Sequence, residues 1–140
     1  MATKQNIEEG TEFIPKFDDN GLIPAIAQDA ETGQILMAAY MNRQALDLTI
    51  QTGYATYFSR ARQKLWKKGE QSGNLQKVEQ ILVDCDQDCL ILKVAVPPGR
   101  TGQCHVGYQS CFYRALKKDS GKDLEFIAEK VYNPKNVYKK

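Results

Sequence analysis

No long apolar run occurs in the 140 residues. Nothing approaches the roughly 20 residues that cross a bilayer, and residues 1–5 lead into polar positions rather than into the apolar centre of a secretory signal. No membrane partner is expected, and the cytoplasm is the expected location. Surplus charge is also scarce. A net charge of +2 falls short of the strongly basic stripe with which dedicated binders hold nucleic acid, so no nucleic-acid partner is expected. No Cys-x-x-Cys occurs, which argues against a four-cysteine zinc ribbon, because its ligands come in close pairs. Internal repeats and low-complexity linkers are absent too.

What is present fits one soluble globular domain: 42% hydrophobic and 26% charged residues, in a chain long enough for a real core and too short for two ordinary ones. In a reducing cytoplasm four cysteines are expected to be free, metal-bound or catalytic rather than paired as disulfides.

Residues 1–20 read as a lead-in with few apolar positions, 21–116 as the domain proper, and 117–140 as a Lys-rich C-terminal tail. Apolar runs at 22–28 and 35–40 flank Asp29-Ala30-Glu31-Thr32-Gly33-Gln34, the pattern of two strands joined by a turn. Asn42 is a good N-cap, Ala45, Leu46, Thr49 and Ile50 follow at helical spacing, and Gly53 suits a left-handed C-terminal position. Strands are expected at 54–59, 76–83 and 90–96, with a short one over 111–114. Pro97-Pro98-Gly99 opens a loop to 102. The apolar stretch 124–131 has no assignable type. The expected fold is α+β: a compact, β-rich single domain with one main helix.

All four cysteines and the only histidine fall between Asp84 and Cys111. Asp84, Asp86 and Asp88 alternate, so an extended backbone would turn their carboxylates to one side and Cys85 to the other. Three like charges side by side repel unless a hard cation such as Mg2+ neutralises them. A calcium loop also begins Asp-x-Asp-x-Asp, but it needs Gly and Glu where this chain has Cys89 and Ala95. A solvated polar turn between strands is the plain alternative. Cys85, Cys104 and Cys111, at x18 and x6 spacing, would suit a catalytic zinc with an open fourth position, where bound water reaches a pKa of about 7. Cys89 either closes a tetrahedral site or packs in the core. His105 is a ligand, a general acid or base, or structural.

Upstream, residues 59–74 bring together Arg60, Arg62, Lys64, Lys67 and Lys68 with Ser72, Asn74, glycine and the single Trp66. Arg, Lys and glycine-turn amides hold phosphate, and Trp can stack on a base. The competing reading is a solvated basic loop with Trp66 anchored in the core.

The segments 66–74 (Trp-Lys-Lys-Gly-Glu-Gln-Ser-Gly-Asn), 84–88 (Asp-Cys-Asp-Gln-Asp) and 104–113 (Cys-His-Val-Gly, then Ser-Cys-Phe-Tyr) strongly resemble the phosphoribosyl-AMP cyclohydrolases of histidine biosynthesis. The likeness runs from about residue 21 to 116. It implies a cytoplasmic, intimate homodimer that uses zinc and magnesium to add water at C6 of the adenine ring across the N1–C6 bond. It also implies Cys85, Cys104 and Cys111 as zinc ligands shared between subunits, and Asp84, Asp86 and Asp88 as magnesium ligands. Cys89 departs from the family pattern, and fused pyrophosphohydrolase forms exceed this length. Chemistry and resemblance together nominate His105 for proton movement. They nominate Arg60, Arg62, Lys64, Trp66, Lys68, Ser72 and Asn74 for the phosphoribosyl nucleotide. Two rival functions remain. A zinc nucleobase deaminase would need His-x-Glu and Pro-Cys-x-x-Cys, neither of which is present. The other is a zinc-stabilised module binding nucleotide or RNA without catalysis.

Overall fold

The apolar runs on either side of Gly33 become the centre of a sheet. In the computed structural model, which describes residues 2–96 and 103–133, they form β1 (Ile23–Asp29) and β2 (Ile35–Met41). These strands pair antiparallel, with Ala25 opposite Ala39. Gly33 makes the turn at a φ of +81°, a conformation that costs glycine nothing. In β1 the alternation is complete: Ile23, Ala25 and Ala27 are buried while Pro24, Ile26 and Gln28 are half-buried.

Asn42 caps α2 (Arg43–Thr52), its Oδ1 accepting the Ala45 N–H at 2.8 Å, and Gly53 closes the helix at a φ of +80°. This helix buries Ala45, Leu46 and Thr49. Ile50, expected on the same face, is exposed, because it lies one residue past Thr49 and so about 100° round the helix.

β3 (Thr56–Ser59), β4 (Lys64–Lys67), β5 (Lys77–Val83) and β6 (Leu90–Ala95) complete a six-stranded sheet of order β4-β3-β2-β1-β6-β5. The pairing of β1 with β6 is parallel, Ala25 opposite Leu90, and the other pairings are antiparallel. The sheet curls. Just before β3, Tyr54 bridges Lys77, Ala55 N–H donates to Gln76 O, and Val78 N–H donates to Gly53 O. Inside the curl lie Ile23, Leu36, Met41, Leu46, Tyr57, Leu90, Leu92 and Val94, all fully buried. Each large aliphatic side chain contributes about 2 kcal/mol through the apolar area it removes from water.

Four features depart from expectation. Residues 64–67, part of the presumed basic loop, form β4, because Leu65 and Trp66 pack on the core and pair with Phe58 and Tyr57. Residues 84–88 are not extended but form the polar turn that stood as the alternative, with Gln87 in the left-handed region at a φ of +58°. Residues 111–113 are not in a strand. The chain becomes extended at β7 (Arg114–Leu116), which pairs with β8 (Leu124–Phe126) in a separate two-stranded hairpin that crosses the assigned start of the tail. The lead-in carries a short exposed helix, α1 (Lys4–Glu9), capped by Thr3, so there are two helices among the described residues. The loop expected at 97–102 lies outside the described residues. Among the described residues no helix is long and apolar enough to cross a membrane.

Candidate active site

The β4 strand and the turn after it form one wall of a cleft of about 370 Å3 lined by Arg62, Trp66, Lys67, Lys68, Glu70, Gln71, Ser72 and His105. Three cations against one carboxylate make it a natural receptor for an anion. Trp66 is held by its packing on Tyr57, ring centroids 5.0 Å apart. The turn is tight. Gly69 has a φ of +86°, and a Cβ there would sit 2.3 Å from Leu75 N. Gly73 N–H closes back on Gly69 O at 2.8 Å, and Asn74 N–H donates to Ser72 Oγ at 3.2 Å.

Of the residues expected to touch substrate, Arg62, Trp66, Lys68, Ser72 and His105 line this cleft. Asn74 is buried behind Ser72. Arg60 stacks on the Tyr40 ring at 4.2 Å, and Lys64 stands exposed opposite Ser59; neither lines the cleft. Lys67, Glu70 and Gln71 line it without having been nominated. Their position between Trp66 and Ser72 in one tight turn was the available signal.

Behind the cleft two cysteines meet. Cys104 is buried and Cys111 is exposed, yet the two thiols lie close enough to influence one another. Burial, then the neighbouring Cys104, pushes the Cys111 thiol up to about 12, opposed by Lys68. Lys68 is lowered by its own burial, and the charges of Cys111 and Cys104 act against that shift. Its ammonium donates to Gln103 O. The loop carrying both cysteines is pinned on all sides. Cys104 N–H donates to Tyr108 O at 2.9 Å, Cys111 N–H to Leu36 O at 2.7 Å, and Tyr132 OH to Cys104 O at 2.6 Å. Ser110 Oγ donates to Ile35 O at 2.6 Å. Residues 103–111 are thus fastened to the start of β2, which places His105 at the cleft mouth.

Cys85 is elsewhere. It follows β5, whereas Gln76, just before β5, bonds to the Gln103 side chain at 3.0 Å. Seven strand residues at about 3.3 Å each separate the two ends by roughly 20 Å. Among the described residues, the one group of three or more candidate ligands within 4.8 Å of one another is Asp84, Asp86 and Asp88. Two sulfurs on one chain fall short of the three protein ligands of a catalytic zinc, so the donors fit zinc when a third thiol comes from outside this set.

The aspartates converge because the turn folds them together, not because a strand alternates them. Asp84 Oδ1 accepts the N–H of Asp88 at 2.9 Å and of Cys89 at 3.1 Å. Slight burial raises the Asp84 carboxyl, but these bonds and the Asp88 side chain outweigh it and hold it below the ordinary range. Hydrogen bonds to Asp86 and then Asp84 push Asp88 up to about 6. Carboxylates that share a proton in this way are a fitting donor set for a hard divalent cation. The turn is tied to the lead-in through the buried Gln87. Its Oε1 accepts Ile14 N–H at 2.7 Å, its Nε2 donates to Ile7 O at 2.9 Å, and its carbonyl accepts Lys16 N–H at 2.7 Å. Cys89 is half-buried at the start of β6, its thiol raised by burial and then by Asp84 and Asp88.

A sequence model of the phosphoribosyl-AMP cyclohydrolase family matches residues 37–113, the span that carries the cleft, the aspartate turn and both pinned cysteines. The phosphoribosyl-AMP cyclohydrolase of Methanococcoides burtonii is 56% identical over 123 residues, 88% of this chain and 94% of the relative. That of Prosthecochloris aestuarii is 51% identical over 140 residues, covering 100% of this chain and 98% of the relative. That of Rhizobium leguminosarum bv. trifolii is 53% identical over 139 residues, 98% of this chain and 92% of the relative. With relatives this similar matched along nearly their whole length, the chain belongs to the phosphoribosyl-AMP cyclohydrolase family of hydrolases.

Proposed function

We propose that this hydrolase opens the adenine ring of phosphoribosyl-AMP, a step of histidine biosynthesis, by adding water at C6 and breaking the N1–C6 bond. The observation that carries the reading is the meeting of Cys104, Cys111 and Lys68 behind a cationic cleft whose mouth holds His105. Arg62, Lys67 and Lys68 supply the positive wall for the substrate's phosphates, Trp66 an aromatic face for its base, and Ser72 a hydroxyl at the turn. His105, beside Cys104, would take the proton from the attacking water and deliver one to the departing ring nitrogen.

Zinc at Cys85, Cys104 and Cys111 would supply a Lewis acid that brings a water toward a pKa of about 7. Magnesium at Asp84, Asp86 and Asp88 would supply a hard cation for phosphate oxygens. Within one chain Cys85 lies at the far end of β5, so the zinc reading calls for a homodimer in which Cys85 comes from a second copy. An apolar surface supports that pairing. Phe112, Leu116, Leu124, Phe126 and Ile127 are each more than half exposed, beside Cys111 and along the β7–β8 hairpin, and exposed apolar patches of this kind mark association surfaces.

Mixing two inactive variants tests the arrangement. When Cys85→Ala and Cys104→Ala proteins are denatured together, refolded and loaded with both metals, a shared site restores one intact centre per mixed dimer. Roughly a quarter of wild-type ring-opening activity, read by ultraviolet absorbance, should return. A site built within one chain returns none. Wild-type protein inactive on phosphoribosyl-AMP would refute the activity itself.

A further inference from the structure

A buried polar chain runs from the core to the cysteine loop and ends on a donor with no acceptor among the described residues. Tyr57 OH donates to Gln76 Oε1 at 2.6 Å, and Gln76 Nε2 donates to Gln103 Oε1 at 3.0 Å. All three side chains are essentially sealed from solvent, Gln103 being 1% exposed. Gln103 Nε2, the last atom, has no hydrogen-bond partner among the described residues. The direction of the chain is fixed by its middle. Gln76 Nε2 also faces the Met37 thioether at 3.3 Å, which can only accept, so the Gln76 amide presents its NH2 to Met37 and Gln103. Gln103 must then turn its oxygen to Gln76 and its NH2 onward. Buried donors left unpaired in native proteins are rare and call for a reason.

Gln103 belongs to the loop that carries the thiol pair. Gln103 directly precedes Cys104, and its own carbonyl accepts the Lys68 ammonium. That ammonium feels the charges of both Cys111 and Cys104, and the Tyr57 phenol at the head of the chain is raised by burial and then by Cys111. Met37 follows Leu36, whose carbonyl holds the Cys111 N–H. The amide is thus bonded through Gln76 into the same stretch of structure that holds both cysteines. A neutral thiol is a weak acceptor, whereas a thiolate accepts N–H bonds well.

We propose that Gln103 is a positioning residue whose side-chain N–H donates to a sulfur of the Cys104–Cys111 pair when the pair is in its metal-bound thiolate form, with Gln76 and Tyr57 holding the amide in that orientation. The proposal rests on the cysteine metal site described above. Such a bond withdraws charge from the sulfur, lowers the energy of its lone pairs, and fixes the sulfur's direction; partners of this outer kind commonly change metal affinity 10- to 100-fold.

Two measurements decide it. In 15N-labelled wild-type protein loaded with 113Cd2+, one Gln103 side-chain proton should move downfield and show scalar coupling to cadmium through the sulfur. In Gln103→Met, whose volume is similar and whose thioether can still accept from Gln76, Co2+ should bind 10- to 100-fold more weakly. Its sulfur-to-cobalt charge-transfer band should also move to lower energy. A band and affinity equal to wild type, or a loss of thermal stability alone, would make Gln103 a packing residue and overturn the proposal. Absent cadmium coupling does the same and decides the matter if the variant does not fold. Wild-type protein showing no thiolate-to-cobalt band would remove the cysteine metal site and this inference together, a result distinct from a band that ignores Gln103.

Discussion

At one end of β5, Gln76 bonds to Gln103, the residue before the buried Cys104; at the other, Val83 runs out into three carboxylates largely open to solvent. The thiol end is fastened by bonds to β2, to Tyr108 and to Tyr132, yet on one chain it has too few donors for a catalytic zinc. The carboxylate end has its three donors together on one chain, but a lead-in segment steadies it through a single residue, Gln87. Rigidity and completeness are thus divided between the ends. Soft thiolates need enclosure to meet in one direction, while a hard cation that keeps part of its water shell tolerates an exposed turn.

The largest effect separating the two ends should come from Cys104→Ala. Zinc and ring-opening activity should fall on the order of a thousandfold or more, while magnesium titration at the aspartate turn stays unchanged; loss of both metals would show that the ends are not independent. Next is Gly69→Ala. Its added Cβ meets Leu75 N at 2.3 Å in a left-handed backbone, so the cleft turn must open, lowering kcat/KM on the order of a hundredfold. Zinc content, measured by metal analysis, should be retained.

Gln87→Gly keeps the left-handed turn and the backbone bond to Lys16, and removes the side-chain bonds to Ile7 and Ile14. Magnesium affinity by calorimetry should drop about thirtyfold, and trypsin should cut at Lys4 and Lys16 sooner, with the cysteine end unaffected. The smallest effect is one of pH. Asp88 is raised to about 6 from 3.8, so the folded, metal-free turn favours its proton. That contribution to stability is full below 3.8 and lost as pH rises through about 6. Magnesium has to displace this proton, and its affinity should fall about tenfold between pH 7 and pH 5; a flat profile would mean the carboxylates do not share a proton.

Much of the fold was legible because local chemistry and burial agreed. The hairpin around Gly33, the helix from its Asn42 cap to Gly53, and strands β5 and β6 all follow from residue pattern. β4 was hidden because Lys64 and Lys67 bracket Leu65 and Trp66, so charge masked a pair that packs inward. Alternating aspartates looked like a strand, but Asp84 Oδ1 gathers two backbone N–H groups and turns the chain. α1 buries nothing and leaves no apolar period to read. At the site, Lys68, Ser72, His105 and the cysteines announce themselves by type and crowding. Gln76 and Gln103 do not, since only the folded sheet brings two glutamines from distant segments face to face.

The parallel pairing of β1 with β6 carries a consequence for how the chain is made. β1 can zip to β2 as soon as both are synthesised, but its other edge waits for Leu90, and closing so long a loop is slow compared with forming a hairpin. Cys104 and Cys111 come later still. The β2 strand that fastens them has left the ribosome before they do, so the nascent chain completes the aspartate turn first and the thiol pair only when the sheet behind it is ready.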